Sequence, residues 1–187
     1  MGRDKNSKLT VKGIKKHFIT ITTHRHEVIK LCFKAGIGIQ GLFHDLSKYS
    51  LAEFIPCARY ATGKKSPHEI LRKEQGFSES WMHHVGANKH HFEHWYDYNP
   101  ETGNWEAVKM PNRYVIESFC DRVAAAKIYG GANYTDDSPL IYFNNRMGTE
   151  GKAMNPSYKK KMEFLLKMFA EKGEEETFKF LRKQKIK

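Results

Sequence analysis

Helix start and stop signals recur along the whole chain, and they constrain it to an all-α class. Ser50 with Glu53, and Ser66 with Pro67 and Glu69, read as capping boxes, in which each pair would satisfy orphan backbone donors. Ser78 is placed to cap a helix holding Trp81, His83 and His84. Pro111 opens a long helix to Tyr129 that Gly130 and Gly131 stop. Ser138 with Pro139, and Asn155 with Pro156, open two more, the last bearing the apolar stripe Met162, Leu165, Leu166, Met168 and Phe169. The first helix is expected over about residues 12–35, stopping at Gly36. Its segment HFITITTH is β-branched, yet the spacing Val28, Leu31, Cys32, Ala35 has helical period and extends back to His24, which therefore faces inward. A short second helix should carry GLFHDLSKY, and residues 95–110, aromatic and turn-rich, read as a loop or a short hairpin.

No repeat or low-complexity linker interrupts this pattern, so one domain over residues 1–187 is expected, with C-terminal helices over about 138–187. No run of 18 uncharged apolar residues appears and the start MGRDKNSKLT lacks an apolar signal core, which predicts a cytoplasmic chain with no membrane partner. Cys32, Cys57 and Cys120 form no CxxC pair and suit a reducing compartment. Lys and Arg outnumber Asp and Glu by 32 to 21, giving +11, which favours anionic partners without selecting nucleic acid among them. Much of that charge is terminal (Lys5, Lys8, Lys12, Lys15 and Lys16; Lys179, Arg182, Lys183, Lys185 and Lys187) and reads as solvated surface.

Histidine is the informative excess: ten in all, five of them between residues 83 and 94. The adjacent His44 and Asp45 join a nitrogen ligand to a hard carboxylate, and on a helix their side chains would splay by about 100°, so both can approach one metal. In isolation such a dipeptide means little. Its company is what matters: His24 on an inward helix face, the histidine cluster downstream, and Asp121 in a later helix whose core side carries Tyr114, Glu117 or Ser118, Ala125 and Ile128. A buried Asp121 needs a metal or an arginine partner.

This order of His, His-Asp, His, His, Asp resembles the HD superfamily of metal-dependent phosphohydrolases, and His24, His44, Asp45 and Asp121 match its basic ligand set. The text GLFHDLSKYSLAEF, WMHHVGANKHHFEHW and ESFCDRVAAAKIYGG, with its HDLSKYS and HHxxxNKHH motifs, also looks like a bacterial family of HD-type proteins with no assigned substrate, over roughly residues 17–130. The resemblance implies an HD-like helical bundle, one or two divalent metal ions (Mn, Mg, Zn, Fe or Co) and phosphate-ester hydrolysis by metal-activated water.

His83 and His90, and likewise His84 and His91, are seven residues apart, which on one unbroken helix is ~10 Å and too far for one metal. Gly86, Ala87 and Asn88 supply the break needed to bring one histidine of each doublet into play. His84 and His91 are preferred as ligands and His83 and His90 as phosphate contacts, although spacing does not separate the members of a doublet. Lys48, one turn after His44, is placed either to meet a phosphate as a catalytic group beside Asp45 or to end a helix in solvent. His17 and His68 read as structural, Glu53 as a cap, His94 as surface or core, and His26 as the more exposed rival of His24. HExxH, P-loop and GxGxxG patterns are absent.

The expected activity is therefore hydrolysis of a small phosphomonoester or phosphodiester, with a nucleotide as the leading substrate and Trp81, Trp95, Tyr96 and Tyr98 available to stack on a base. Two other classes stay open: a di-iron HD-type oxygenase, and a non-catalytic protein that binds metal and nucleotide. Nothing in the residues selects an oligomeric state.

Overall fold

A computed structural model describes residues 8–61 and 66–184, so Lys5, Lys185 and Lys187 of the terminal basic clusters lie outside the described residues. The fold is all-α. Among the described residues there are eight α-helices, short 3-10 turns and one two-stranded ribbon. The helices are α1 (Val11–Ala35), α2 (Gly38–Leu42), α3 (Leu51–Arg59), α4 (Pro67–Gln75), α5 (Glu79–Ala87), α6 (Asn112–Gly130), α7 (Ser138–Glu150) and α8 (Pro156–Lys183). Between α5 and α6, β1 (Tyr96–Asn99) pairs antiparallel with β2 (Asn104–Ala107), so residues 95–110 do make a hairpin.

Local chemistry sets most of these boundaries. The β-branched segment is helical throughout, and α1 stops where Gly36 takes φ +86°, a left-handed conformation that glycine adopts without penalty. Ser78 Oγ accepts from Trp81 N at 3.3 Å and Asn155 Oδ1 from Ser157 N at 3.0 Å, as expected of caps. The capping boxes at Ser50 and Ser66 do not form. Neither serine side chain caps its helix; Glu69 instead pairs with Lys73 at 2.9 Å, and Glu53 is buried.

The segment after α2 departs furthest from its expected form. His44 and Asp45 lie in a turn between α2 and a 3-10 helix over Leu46–Tyr49, and Asp45 takes φ +54°, ψ 25°. Aspartate is one of the few side chains that tolerates this left-handed region. The geometry of the pair is therefore set by a left-handed turn rather than by helical rotation.

The chain divides into two compact units, Met1–His26 with Asp45–Asn88, and Glu27–His44 with Lys89–Lys187. In the first, α3 packs on α4, α5 and the 3-10 helix. Its interior has few apolar side chains, chiefly Ile21, Cys57 and Leu71, and many polar ones: His17, His24, Asp45, Glu53, His68, Ser78, Ser80, His84 and Asn88 are all buried. Burying so many polar groups is unfavourable unless each is matched, and such interiors mark places where chemistry outranks stability. The second unit has a conventional core, in which α6 packs on α7 and α8 and Phe119, Phe169 and Phe178 meet edge to face or tilted. Here Gly41 allows α2 to approach the end of α1, since a Cβ at that position would lie 2.5 Å from Cys32 Cβ.

Candidate metal centre

In the first unit, Asp45 is the focus. Its Oδ1 lies 3.4 Å from His84 Nε2, its Oδ2 lies 2.5 Å from Lys48 Nζ, and it offers a carboxylate oxygen within 4.8 Å of a ring nitrogen of His24. His24 reaches this position from the buried face of α1, whereas His26 is exposed. α5 delivers His84, fully buried, and His83, whose side chain is 46% exposed. Both are held by one carboxylate: Glu53 Oε1 accepts from His83 Nδ1 at 2.7 Å and Oε2 from His84 Nδ1 at 2.8 Å. Burial would raise the Glu53 carboxyl, but the bonds from His84, Ser47 and His83 outweigh it and leave the pKa below the ordinary value. Asn88, which ends α5, donates to the His84 carbonyl at 2.8 Å and to Ser47 Oγ at 2.7 Å, so the break at 86–88 also braces the turn after Asp45.

The second unit repeats this arrangement. His44 Nε2 lies 3.6 Å from Asp121 Oδ1, and His44 Nδ1 donates to Glu117 Oε1 at 2.9 Å. His90 Nδ1 approaches the same Glu117 oxygen at 3.3 Å, and Gln40 Nε2 donates to Oε2. Burial alone would raise the Glu117 carboxyl, yet its bonds to His44 and His90 hold it down at about 2. α6 brings Glu117 and Asp121 to one face because they are one turn apart, Glu117 buried and Asp121 with 20% of its side chain exposed. His90 is buried with its ring 4.4 Å from that of His44, and the half-buried His91 ring lies 4.1 Å from His90. The structure thus groups His90, rather than His91, with His44 and Glu117.

Of the ligands expected from the sequence, His24 and His84 each approach Asp45 in the first unit, and His44 approaches Asp121 in the second, where His91 lies beside His90. His44 belongs to one set and Asp45 to the other, although the two are consecutive in the sequence. Sequence reasoning missed Glu53, which it took for a cap, and gave Glu117 no role of its own. The donor chemistry fits a divalent ion. With Nδ1–H given to a glutamate, Nε2 of His84 and of His44 carries a lone pair aimed at a carboxylate oxygen, a contact that needs a cation or a proton between its members. Two ligands ~2.1 Å from one tetrahedral ion stand about 3.4 Å apart, against 3.4 and 3.6 Å here.

Other candidates have local roles. Lys48 lies on Asp45 rather than in solvent. His68 is buried among Ser78, Ser80 and Cys57, and Cys57, with its thiol pushed up to about 11 by burial, is no nucleophile. Trp81 is covered by Arg72 at 5.1 Å, Trp95 Nε1 donates to the Lys89 carbonyl, and Tyr96 to the Ala153 carbonyl; Tyr98 is exposed. Among the described residues no helix is long and apolar enough to cross a membrane.

No curated protein and no solved structure matches the chain. One family model does match, over residues 13–170, a span that contains both donor sets, and the chain accordingly belongs to that family, described as a family of unknown function (DUF5662).

Proposed function

We propose that the protein is a metal-dependent phosphohydrolase of HD type. The observation that carries this reading is the repeated unit of a buried histidine whose Nε2 faces an aspartate oxygen at metal-ligand separation while a glutamate takes its Nδ1 proton. His24, Asp45 and His84, and His44, Asp121 and His90, are the residues that would hold metal; nitrogen and carboxylate donors together suit Mn, Fe, Co or Zn. A bound ion supplies Lewis acidity, polarising a phosphoryl oxygen and making water nucleophilic at neutral pH.

The side chains supply the rest. Asp45 orients the attacking water, and the Lys48 ammonium beside it meets negative charge developing on the phosphoryl oxygens. His83, exposed and braced by Glu53, takes the proton that the attacking water gives up and passes it to the leaving oxygen. The substrate in this reading is a phosphomonoester or phosphodiester, with nucleotides first among them, and the net charge of +11 favours such anions.

The test is metal content of the purified protein, of His44→Ala and of Asp45→Ala, combined with phosphatase and phosphodiesterase assays in added manganese. Stoichiometric metal that both folded variants lose, with metal-dependent phosphate release, supports the hydrolase. A parent protein that takes up no metal under any loading condition refutes it. The histidine-rich donor sets also suit iron, so redox-active iron with oxygen consumption and no phosphate release would move the assignment to an oxygenase.

A further inference from the structure

We propose that Glu53 and Glu117 are positioning residues, each clamping the Nδ1 nitrogens of two histidines so that His84, His44 and His90 present Nε2 to metal. The inference rests on the metal-site reading above, and it concerns how the ligands are prepared.

Both carboxylates are buried, 1% and 5% exposed, and both are saturated in the same way. Glu53 collects His83 Nδ1, His84 Nδ1 and the Ser47 hydroxyl. Glu117 collects His44 Nδ1, His90 Nδ1 and the Gln40 amide. A carboxylate can only accept, so each ring facing it must carry its proton on Nδ1, and the lone pair is then on Nε2. For His84 and His44 that nitrogen is the one at 3.4 and 3.6 Å from Asp45 and Asp121. This geometry disfavours Glu117 as the principal ligand: Oε1 receives two ring N–H groups and Oε2 an amide N–H, which leaves one of about four lone-pair sites for a cation.

The pairing is also economical in sequence. One glutamate on α3 serves both members of the 83–84 doublet, and one on α6 serves His44 together with the first member of the 90–91 doublet. Glutamine at either site would turn an N–H group toward one of the donors and leave a ring free to take the opposite tautomer.

The experiment uses the full chain as wild type, Glu53→Gln, Glu117→Gln and Glu117→Asp, with Mn(II) and Co(II) as probes. Affinity is read by calorimetry, coordination by the visible spectrum of the Co(II) form, and tautomers by imidazole ¹⁵N shifts of the metal-free protein. In the wild type, His44, His84 and His90 should each carry a proton on Nδ1. Each Glu→Gln variant should bind 10–100-fold more weakly, keep the wild-type Co(II) spectrum at saturation, and disturb only its own histidine pair, while Glu117→Asp recovers part of the loss.

Wild-type rings whose Nδ1 carries no proton overturn the proposal, and this readout needs no variant to fold. Unchanged affinity in both Glu→Gln variants overturns it as well, as does a Co(II) spectrum that loses a ligand. If the wild type binds neither ion, the metal-site reading fails, whereas the ¹⁵N shifts still decide whether the glutamates set the tautomers.

Discussion

Lys48 Nζ lies 2.5 Å from Asp45 Oδ2, so this buried carboxylate of the first unit has an ammonium as its neighbour three residues on. Removing that ammonium leaves Asp45 a buried charge with less compensation. Lys48→Met should therefore destabilise the metal-free protein by about 2 kcal/mol, below the range for fully buried pairs because the lysine is partly exposed. Added manganese should restore most of the lost melting temperature by supplying another cation. Thermal melts of both proteins with and without metal check this; equal losses in both conditions would mean the ion does not reach Asp45.

Metal removal should act on the wild type in the same direction. A ligand that binds only the folded state stabilises it by about 2.7 kcal/mol at a hundredfold excess over its dissociation constant. Chelator treatment should lower the melting temperature, and His44→Ala should show a smaller difference between its metal-loaded and metal-free forms.

Acid should weaken the first unit ahead of any effect on its carboxylates. His17 packs on the Phe54 ring with centroids 5.0 Å apart, and burial, with the Lys48 charge second, holds its pKa at about 4. Burial, with Lys48, His84 and Arg72 adding to it, holds His68 at about 3. Unfolded, both titrate near 6.5. The unfolded chain therefore binds more protons than the folded one below that value, so the stabilisation is complete above pH 6.5 and drains as pH falls toward 4. Over the full window, down to pH about 4 for His17 and about 3 for His68, the rings are worth about 3 and about 5 kcal/mol. Urea unfolding at pH 7.5, 6 and 5 should show the decline, and His17→Gln should make it shallower.

Gly41 provides a test of the second unit that touches no ligand. A Cβ there would collide with Cys32, so Gly41→Ala must push α2 away from α1. The expected loss is about 1–3 kcal/mol of stability. Because α2 leads directly into His44 and carries Gln40, metal affinity should fall as well. Calorimetric titration of the folded variant measures it.

Phe119→Ala serves as the contrasting control. It removes a fully buried ring that meets Phe169 and Phe178, and should cost about 3–5 kcal/mol in denaturant unfolding. The fraction that stays folded should keep its metal stoichiometry, separating damage to the core from damage to the site.

The residues by themselves determined the helical class, most of the helix starts, the break at 86–88 and the kinds of side chain able to hold a metal, because each depends on interactions a few residues apart. Ser78 caps Trp81 three residues away, and the period that turns His24 inward is a property of one helix. Only the tertiary structure decided that Glu53 serves histidines instead of capping α3, that Glu117 is the partner of His44, that His90 rather than His91 joins them, and that the His44–Asp45 pair sits in a left-handed turn. The carboxylates and rings involved lie 30, 31 and 73 residues apart. A cap competes for backbone donors beside it, whereas a buried carboxylate takes whatever donors packing brings to it, and that choice is made only when distant elements meet.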